Sequence, residues 1–275
     1  MRDYHVHTHF CRHAVGRAAD YARAAQAKGI REICFTPHIP LPGFRPGFWN
    51  DRLRMNEREF DRYLEELEDA RAQFPDLTIL SGVEADYIPS MEEYLRRFLS
   101  ERSFDFVLMS IHYVSSWDED EWVFGFDHRR ELTAAYKDYF NEMSAGIETG
   151  LFDCVAHLDL IKQPGKPVLE TNRGDVEEVL DRCLARRVSV EINTSGLRKG
   201  TAEAYPCNEI VELMIDRGLP LVTGSDSHAP SQLGLGFERL AERFGDRLAC
   251  SLVGYWERRI VRMPSWPARA RAGRC

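Results

Sequence analysis

Short apolar runs alternate with longer amphipathic stretches along almost the whole chain. Residues 3–7, 32–36, 78–83, 106–111, 154–157, 188–192 and 220–224 are rich in Val, Ile, Leu, Phe and Cys, and their length and composition predict strands. Between them, residues 17–28, 57–74, 90–99, 130–149, 175–187 and 208–217 carry apolar positions at helical spacing. Several of these helices stop at a glycine just past the last periodic residue, as at Gly29, Gly150 and Gly218. Strands that are apolar throughout belong in a parallel sheet covered by helices on its outer side. Seven such units predict an α/β fold, closed or nearly closed into a barrel, in a single domain.

Two stretches break this rhythm. Residues 40–56 hold three prolines and two glycines among Phe44, Phe48 and Trp49, the composition of a long structured loop. Residues 117–127 are acidic and aromatic, and read either as a solvated loop or as a substrate-facing one. The domain is expected to span residues 1–257. Residues 258–275, basic and containing Pro264 and Pro267, are expected to form a poorly ordered tail.

Composition narrows the function. The chain has 275 residues, 44 % of them hydrophobic, with no apolar run near the ~18 residues that span a bilayer and no apolar segment of signal-peptide type at its start. A cytoplasmic location without membrane association is the resulting expectation. Seven cysteines, odd in number and without a CxxC pair, argue against a disulfide framework and against a thiolate zinc site. The net charge of −8 argues against a nucleic-acid partner, since phosphate neutralisation needs a basic surface. An anionic substrate must be met by a local cationic cluster or by metal. Oligomeric state is not legible.

Histidines are placed unevenly. Four of the nine, His5, His7, His9 and His13, fall in the first thirteen residues. On a strand, His5 and His7 leave the same face and can reach one ion. The rest, His128 apart, follow the strands together with other polar residues: His38 the second, Glu84 the third, His112 the fourth, His157 closing the fifth, Asn193 after the sixth, Asp226 and His228 after the seventh. In a parallel barrel the C-terminal strand ends form one rim, where active sites are built. His5, His7, His13, His38, Glu84, His112, His157, Asp226 and His228 exceed the three or four ligands of one zinc ion, so two or three ions are expected. Nitrogen and oxygen donors suit Zn, Fe or Mn. Cys11, without a thiolate partner, reads as a packing residue.

These motifs, HVH at 5–7, His13, TPH ending at His38, GVE ending at Glu84, SIH ending at His112, AHLD with His157 and GSDSH with Asp226 and His228, resemble those of the polymerase-and-histidinol-phosphatase (PHP) family over about residues 1–245. FCRHA at 10–14, HIPLP at 38–42 and EINTSGLRKG at 191–200 are similar to its histidinol-phosphate phosphatase branch. The resemblance implies a distorted (β/α)7 TIM-like barrel with a trinuclear centre. It implies one ion on His5, His7, Glu84 and Asp226, a second on Glu84, His112 and His157, and a third on His13, His38 and His228. His9 has no matching ligand role and reads as a neighbour of the ligands or a pocket residue.

The chemistry of such a rim is phosphomonoester hydrolysis. Clustered metals generate hydroxide from a bridging water near neutral pH and neutralise charge on phosphate oxygens, with Glu84 as the bridging carboxylate. Arg198 offers a fork for phosphate, and Lys162 is a second candidate if it is not simply a surface lysine. Asp226 or His228 can protonate the leaving alkoxide. The expected reaction is hydrolysis of L-histidinol phosphate to L-histidinol and phosphate in histidine biosynthesis. The alternatives are a phosphoesterase for another phosphorylated metabolite or nucleotide, and a non-catalytic PHP accessory domain.

Overall fold

Seven strands hydrogen-bond in sequence order into one parallel sheet in the computed structural model, which describes residues 1–44, 52–117, 122–123, 131–162 and 167–261. They are β1 (Arg2–Val6), β2 (Glu32–Phe35), β3 (Thr78–Asp86), β4 (Phe106–Ser110), β5 (Cys154–Val155), β6 (Ser189–Asn193) and β7 (Leu221–Gly224). The ends of the sheet meet where Val6 bridges Ser227 in parallel and the His7 N–H donates to the Ser227 carbonyl at 2.9 Å. Lower down, Thr223 Oγ1 donates to the Arg2 carbonyl at 2.9 Å. The sheet is thus a nearly closed seven-stranded α/β barrel, as expected.

Helices α1 (Ala18–Lys28), α2 (Glu57–Gln73), α3 (Glu92–Ser100), α4 (Leu132–Glu148), α5 (Val168–Arg186), α6 (Asn208–Asp216) and α7 (Phe237–Ser251) cover the outside. The start of α2 shows how local sequence sets an element. Asn56 and Glu59 form a reciprocal capping box, and Phe60, Tyr63, Leu67 and Ala70 then recur at helical spacing on the buried face. Tyr63 OH donates to the Phe35 and Gly82 carbonyls at 3.0 and 3.1 Å, which fixes the helix against β2 and β3.

Inside the barrel, polarity changes with height. Leu80, Phe106, Leu108, Cys154, Ala156 and Val222 pack with Tyr4, Cys34 and Tyr255 in one apolar cluster. Further along the same inward rows come Glu84 and Asp86, Ser110 and His112, and Asp226, and β6 adds Glu191 and Asn193 at the same height. The apolar end of each row fills the barrel, and the C-terminal end delivers the polar groups. The register of β1 against β2 shifts between Asp3 and Val6. This irregularity lets Tyr4 pack in the apolar cluster while its neighbour His5 meets the carboxylates.

Several boundaries differ from the sequence expectation. β3 continues to Asp86 because its pairing with β4 runs to Asp86 opposite Ser110, so Glu84 lies within the strand rather than after it. α5 begins at Val168, ahead of residue 175, across a kink at Asn172. α7 was not anticipated: its buried Phe237, Leu240, Phe244 and Leu248 have helical spacing, but Gly245, at φ 52, interrupts the run. Arg258 through Val261, assigned to the tail, belong to a hairpin of β8 (Gly254–Trp256) and β9 (Arg259–Val261), and the Arg258 guanidinium meets Asp153 at 3.0 Å. Residues 262–275 lie outside the described residues, as do 45–51 of the first loop and 118–121 and 124–127 of the second. Cys11, Cys34, Cys154, Cys183 and Cys207 are buried free thiols. No helix among the described residues is long and apolar enough to cross a membrane.

Candidate metal centre

The strand ends bring all nine expected metal-binding side chains to one rim. Glu84 stands at the centre. Its Oε2 lies 3.4 Å from His5 Nε2, 3.5 Å from His7 Nε2 and 2.8 Å from His38 Nδ1; its Oε1 lies 3.1 Å from His157 Nε2 and 3.8 Å from His112 Nε2. Asp226 Oδ1 lies 3.3 Å from His7 Nε2 and 3.8 Å from His5 Nε2. His13 and His228 face each other across 2.9 Å.

These separations fit metal donors. Two ligands each about 2.0–2.1 Å from a tetrahedral ion stand about 3.4 Å apart. His5 Nε2 and His7 Nε2, 3.1 Å apart, share with Glu84 and Asp226 a set of donor gaps from 3.1 to 3.8 Å. Tautomers point the same way. His13 Nδ1 lies on the Cys11 carbonyl and His228 Nδ1 on the Asp226 carbonyl, so both Nδ1 atoms carry hydrogen and both Nε2 atoms are lone pairs. His112 Nδ1 is likewise held by Asp86 at 2.8 Å. Lone pairs facing lone pairs at hydrogen-bond distance leave room for a cation and for little else. Buried Glu84 Oε2 and His38 Nδ1 approach each other, yet neither has a hydrogen bond. Among the described residues, four ligand sets each lie within reach of one ion: His5, His7 and Glu84; Glu84, His112 and His157; His7, His38 and His228; His38, Asp86 and His112.

Electrostatics keep the donors in usable form. Burial lowers the pKa of His7 and, more strongly, that of His38, and it brings His13 and His228 down to about 4, so these rings are neutral at pH 7. Burial opposes ionisation of Glu84, but the His38 and His5 rings hold it well below the usual carboxylate range. His5 is the exception: burial works against its charged form, but the Glu191, Glu84 and Asp226 carboxylates override it and raise its pKa, so an ion bound at Nε2 would take the place of a proton there. Backbone strain gathers at the same place: His157 has φ 25 and Asp226 φ 51. Non-glycine residues take up such conformations at a cost of about 1–3 kcal/mol when the surroundings require it, often at functional sites.

The cationic candidates separate. Lys162 is buried in a pairing with Asp159 at 3.3 Å and Glu203 at 3.1 Å, and its ammonium lies 4.6 Å from the Tyr205 ring centroid. It is neither a surface lysine nor part of the cavity lining. Arg198 anchors Nη2 on the Ser225 and Asp226 carbonyls at 2.9 and 3.2 Å, and its buried Nη1 has no hydrogen bond. Lys199, not singled out in the sequence, lines a cavity of about 270 Å³ over the rim, together with Leu53, Arg54, Tyr113, Trp122 and the rim residues. Its Nζ is 4.0 Å from Asp226 Oδ2. His9 stands apart from the cluster, 3.8 Å from Glu66 and against Phe10.

Sequence reasoning passed over the groups behind the ligands. Asp86 accepts from the His112 backbone and ring and is paired with buried Arg54. Glu191 holds His5 Nδ1 at 2.8 Å. Both had a signal, since Asp86 is two residues from Glu84 and Glu191 two from Asn193, on the same inward rows. Cys11, read as a packing residue, is buried but also accepts the His38 N–H at 3.3 Å and faces His7 Nδ1 at 3.3 Å.

A parallel barrel whose C-terminal rim gathers histidines and carboxylates at metal-ligand spacing defines the class of TIM-like barrel hydrolases built around clustered metal sites. The chain belongs to the PHP domain family, whose family model matches residues 3–195. It is 34 % identical over 247 residues to a protein of Deinococcus radiodurans named a probable histidinol-phosphatase, covering 89 % of this chain and 92 % of that one. It is 30 % identical to the histidinol-phosphatase of Bacillus subtilis, covering 88 % of this chain and 98 % of that one. Its fold superposes with a TM-score of 0.80, at 22 % identity and over 94 % of this chain and 98 % of the other, on histidinol phosphate phosphatase from Lactococcus lactis, solved with zinc, L-histidinol and phosphate.

Proposed function

We propose that this protein is a metal-dependent phosphomonoester hydrolase that converts L-histidinol phosphate and water to L-histidinol and phosphate. The observation that carries the reading is the position of Glu84, whose two oxygens face five imidazoles from different parts of the rim. The histidinol-phosphatase names of its relatives support the substrate. His5, His7, Glu84 and Asp226 would hold one ion, Glu84, His112 and His157 a second, and His38 and His228, with His13 beside them, a third. Zn, Fe and Mn all suit this donor set. Bound ions would supply a water activated for attack on phosphorus and neutralise the phosphate oxygens.

The chain's own residues do the rest. The unused Nη1 of Arg198 and the ammonium of Lys199 meet phosphate oxygens beside Asp226, where two cations offset the acidic net charge of the chain. Lys162 holds the loop carrying Glu203 and Tyr205 behind them. Burial disfavours a charged Asp226, but His5 and His7 hold its carboxyl well below the usual carboxylate range, so it is ionised as a ligand, and a proton it takes from the attacking water can pass on to the leaving alkoxide. Tyr113 and Trp122 form the aromatic side of the cavity, the side suited to a flat imidazole.

Steady-state assay of metal-loaded protein against histidinol phosphate and a panel of other phosphate esters tests the proposal. The expected result is a kcat/KM for histidinol phosphate at least about a hundredfold above the panel. Equal rates across the panel would replace this substrate with a broader phosphoesterase activity. Fewer than two bound ions per chain would point to a non-catalytic domain.

A further inference from the structure

We propose that Glu191 is a positioning residue of the metal centre: it fixes His5 as an Nε2 donor and holds the backbone of His157, so that metal affinity depends on a carboxylate outside the ligand sets. The inference rests on the reading of the rim as a metal centre.

Glu191 is fully buried on β6, and its contacts account for both oxygens. Oε1 lies 2.8 Å from His5 Nδ1, Oε2 accepts the backbone N–H of His157 at 2.9 Å, and Asn193 Nδ2 lies 3.2 Å from each. An ionised carboxylate only accepts hydrogen bonds, so the His5 proton must sit on Nδ1 and the lone pair on Nε2, toward His7 and Glu84. The bond to His157 falls at the residue whose φ of 25 needs an external constraint. Among the described residues, no Lys or Arg is paired with Glu191; His5 is its ion-pair partner.

The neighbouring strand is built around this contact. A Cβ on Gly224 of β7 would stand 1.8 Å from Glu191 Oε1 and 2.6 Å from His5 Cβ. Only a residue without a side chain lets the carboxylate lie between β1, β5 and β7. A carboxylate with no role beyond packing would be a costly occupant of that space, since burying it demands compensation from His5 and from whatever His5 faces. Carboxylates behind metal-binding histidines raise ligand basicity, and their loss costs about 10–100-fold in metal affinity.

The test is metal affinity and stoichiometry by chelator competition with Zn, in the full chain and in Glu191→Gln and Gly224→Ala. The second variant crowds the carboxylate and His5 together without changing charge, so it reports on the placement of the pair, while Glu191→Gln reads the carboxylate alone. Both are expected to bind zinc about 10–100-fold more weakly than the wild type. The wild type is expected to show a downfield proton resonance for His5 Nδ1–H that is lost in Glu191→Gln. A merely structural role lowers the melting temperature of both variants and leaves the affinity of the folded protein unchanged; that result overturns the proposal. If neither variant folds, absence of the Nδ1–H resonance in the wild type overturns it, and its presence upholds the assigned tautomer. A wild type that binds fewer than two zinc ions overturns the metal-centre reading and this inference together. One that binds zinc but leaves histidinol phosphate intact overturns only the substrate.

Discussion

His13 and His228 point their Nε2 atoms at each other across 2.9 Å while each commits Nδ1 to a backbone carbonyl. Neither ring has a hydrogen left to give the other, so the contact calls for a cation. His228→Ala should therefore lower the bound metal by about one ion per chain, as read by elemental analysis, and reduce kcat at least about a hundredfold. Unchanged metal content in the variant would refute the assignment of this pair.

The same pair sets a pH dependence. Burial holds His13 and His228 at about 4, against an ordinary value of 6.5. Between these values the unfolded chain binds protons that the folded chain does not, so the stability contributed by each neutral ring falls as pH drops from 6.5 toward 4 and is level below that. His5 and His112, raised by carboxylates that overcome their burial, work in the opposite direction. The His13 contribution is isolated by comparing chelated wild type with chelated His13→Ala. The melting temperature of the wild type relative to the variant should decline from pH 6.5 to about pH 4, and a flat difference would contradict it.

The ligands were legible because the sequence records residue type and strand position together. His5, His7, Glu84 and Asp226 each sit at the end of an apolar run, and seven runs in parallel converge on one rim. Assigning His38 was harder. It lies beyond its strand on a loop, and the structure places its Nδ1 2.8 Å from Glu84 Oε2 while its ring stacks on that of His13 with centroids 5.4 Å apart, a matter of loop conformation that periodicity does not encode. Arg198 ranked ahead of Lys162 in sequence for its fork of donors, although each is a basic residue following a strand. What separates them is three-dimensional: Asp159 and Glu203 engage the first, while carbonyls at the Asp226 rim anchor the second. The helix at 237–251 was missed because Gly245 splits its apolar pattern, although tertiary packing carries the helix across the kink.

Arg54 and Asp86 form a buried pair beneath the cavity, and Asp86 also orients His112. Burial alone would raise the Asp86 pKa, but His112 and Arg54 hold it well below the usual range. Asp86→Ala leaves a guanidinium buried without its counter-charge, and chemical denaturation should show a loss of about 3–5 kcal/mol. The double variant Arg54→Met/Asp86→Ala should recover part of that loss by removing the unpaired charge. A double variant less stable than the single one would mean that Arg54 acts through packing instead.

Trp122 and Tyr113 line the cavity above the rim, and Phe44 packs edge-on against Tyr113 with ring centroids 5.2 Å apart. Aromatic contacts of this kind contribute about 0.5–1.5 kcal/mol beyond buried area, which corresponds to as much as a tenfold change in binding. Trp122→Ala should raise KM for histidinol phosphate by up to about tenfold while altering KM for glycerol phosphate, which has no ring, by less than about twofold. Rim chemistry is untouched by the substitution, so kcat on the small ester should persist. If both substrates lose equally, the tryptophan supports the shape of the cavity as a whole; if neither changes, the imidazole binds elsewhere, and the wall formed by Leu53 and Tyr113 becomes the next target for substitution.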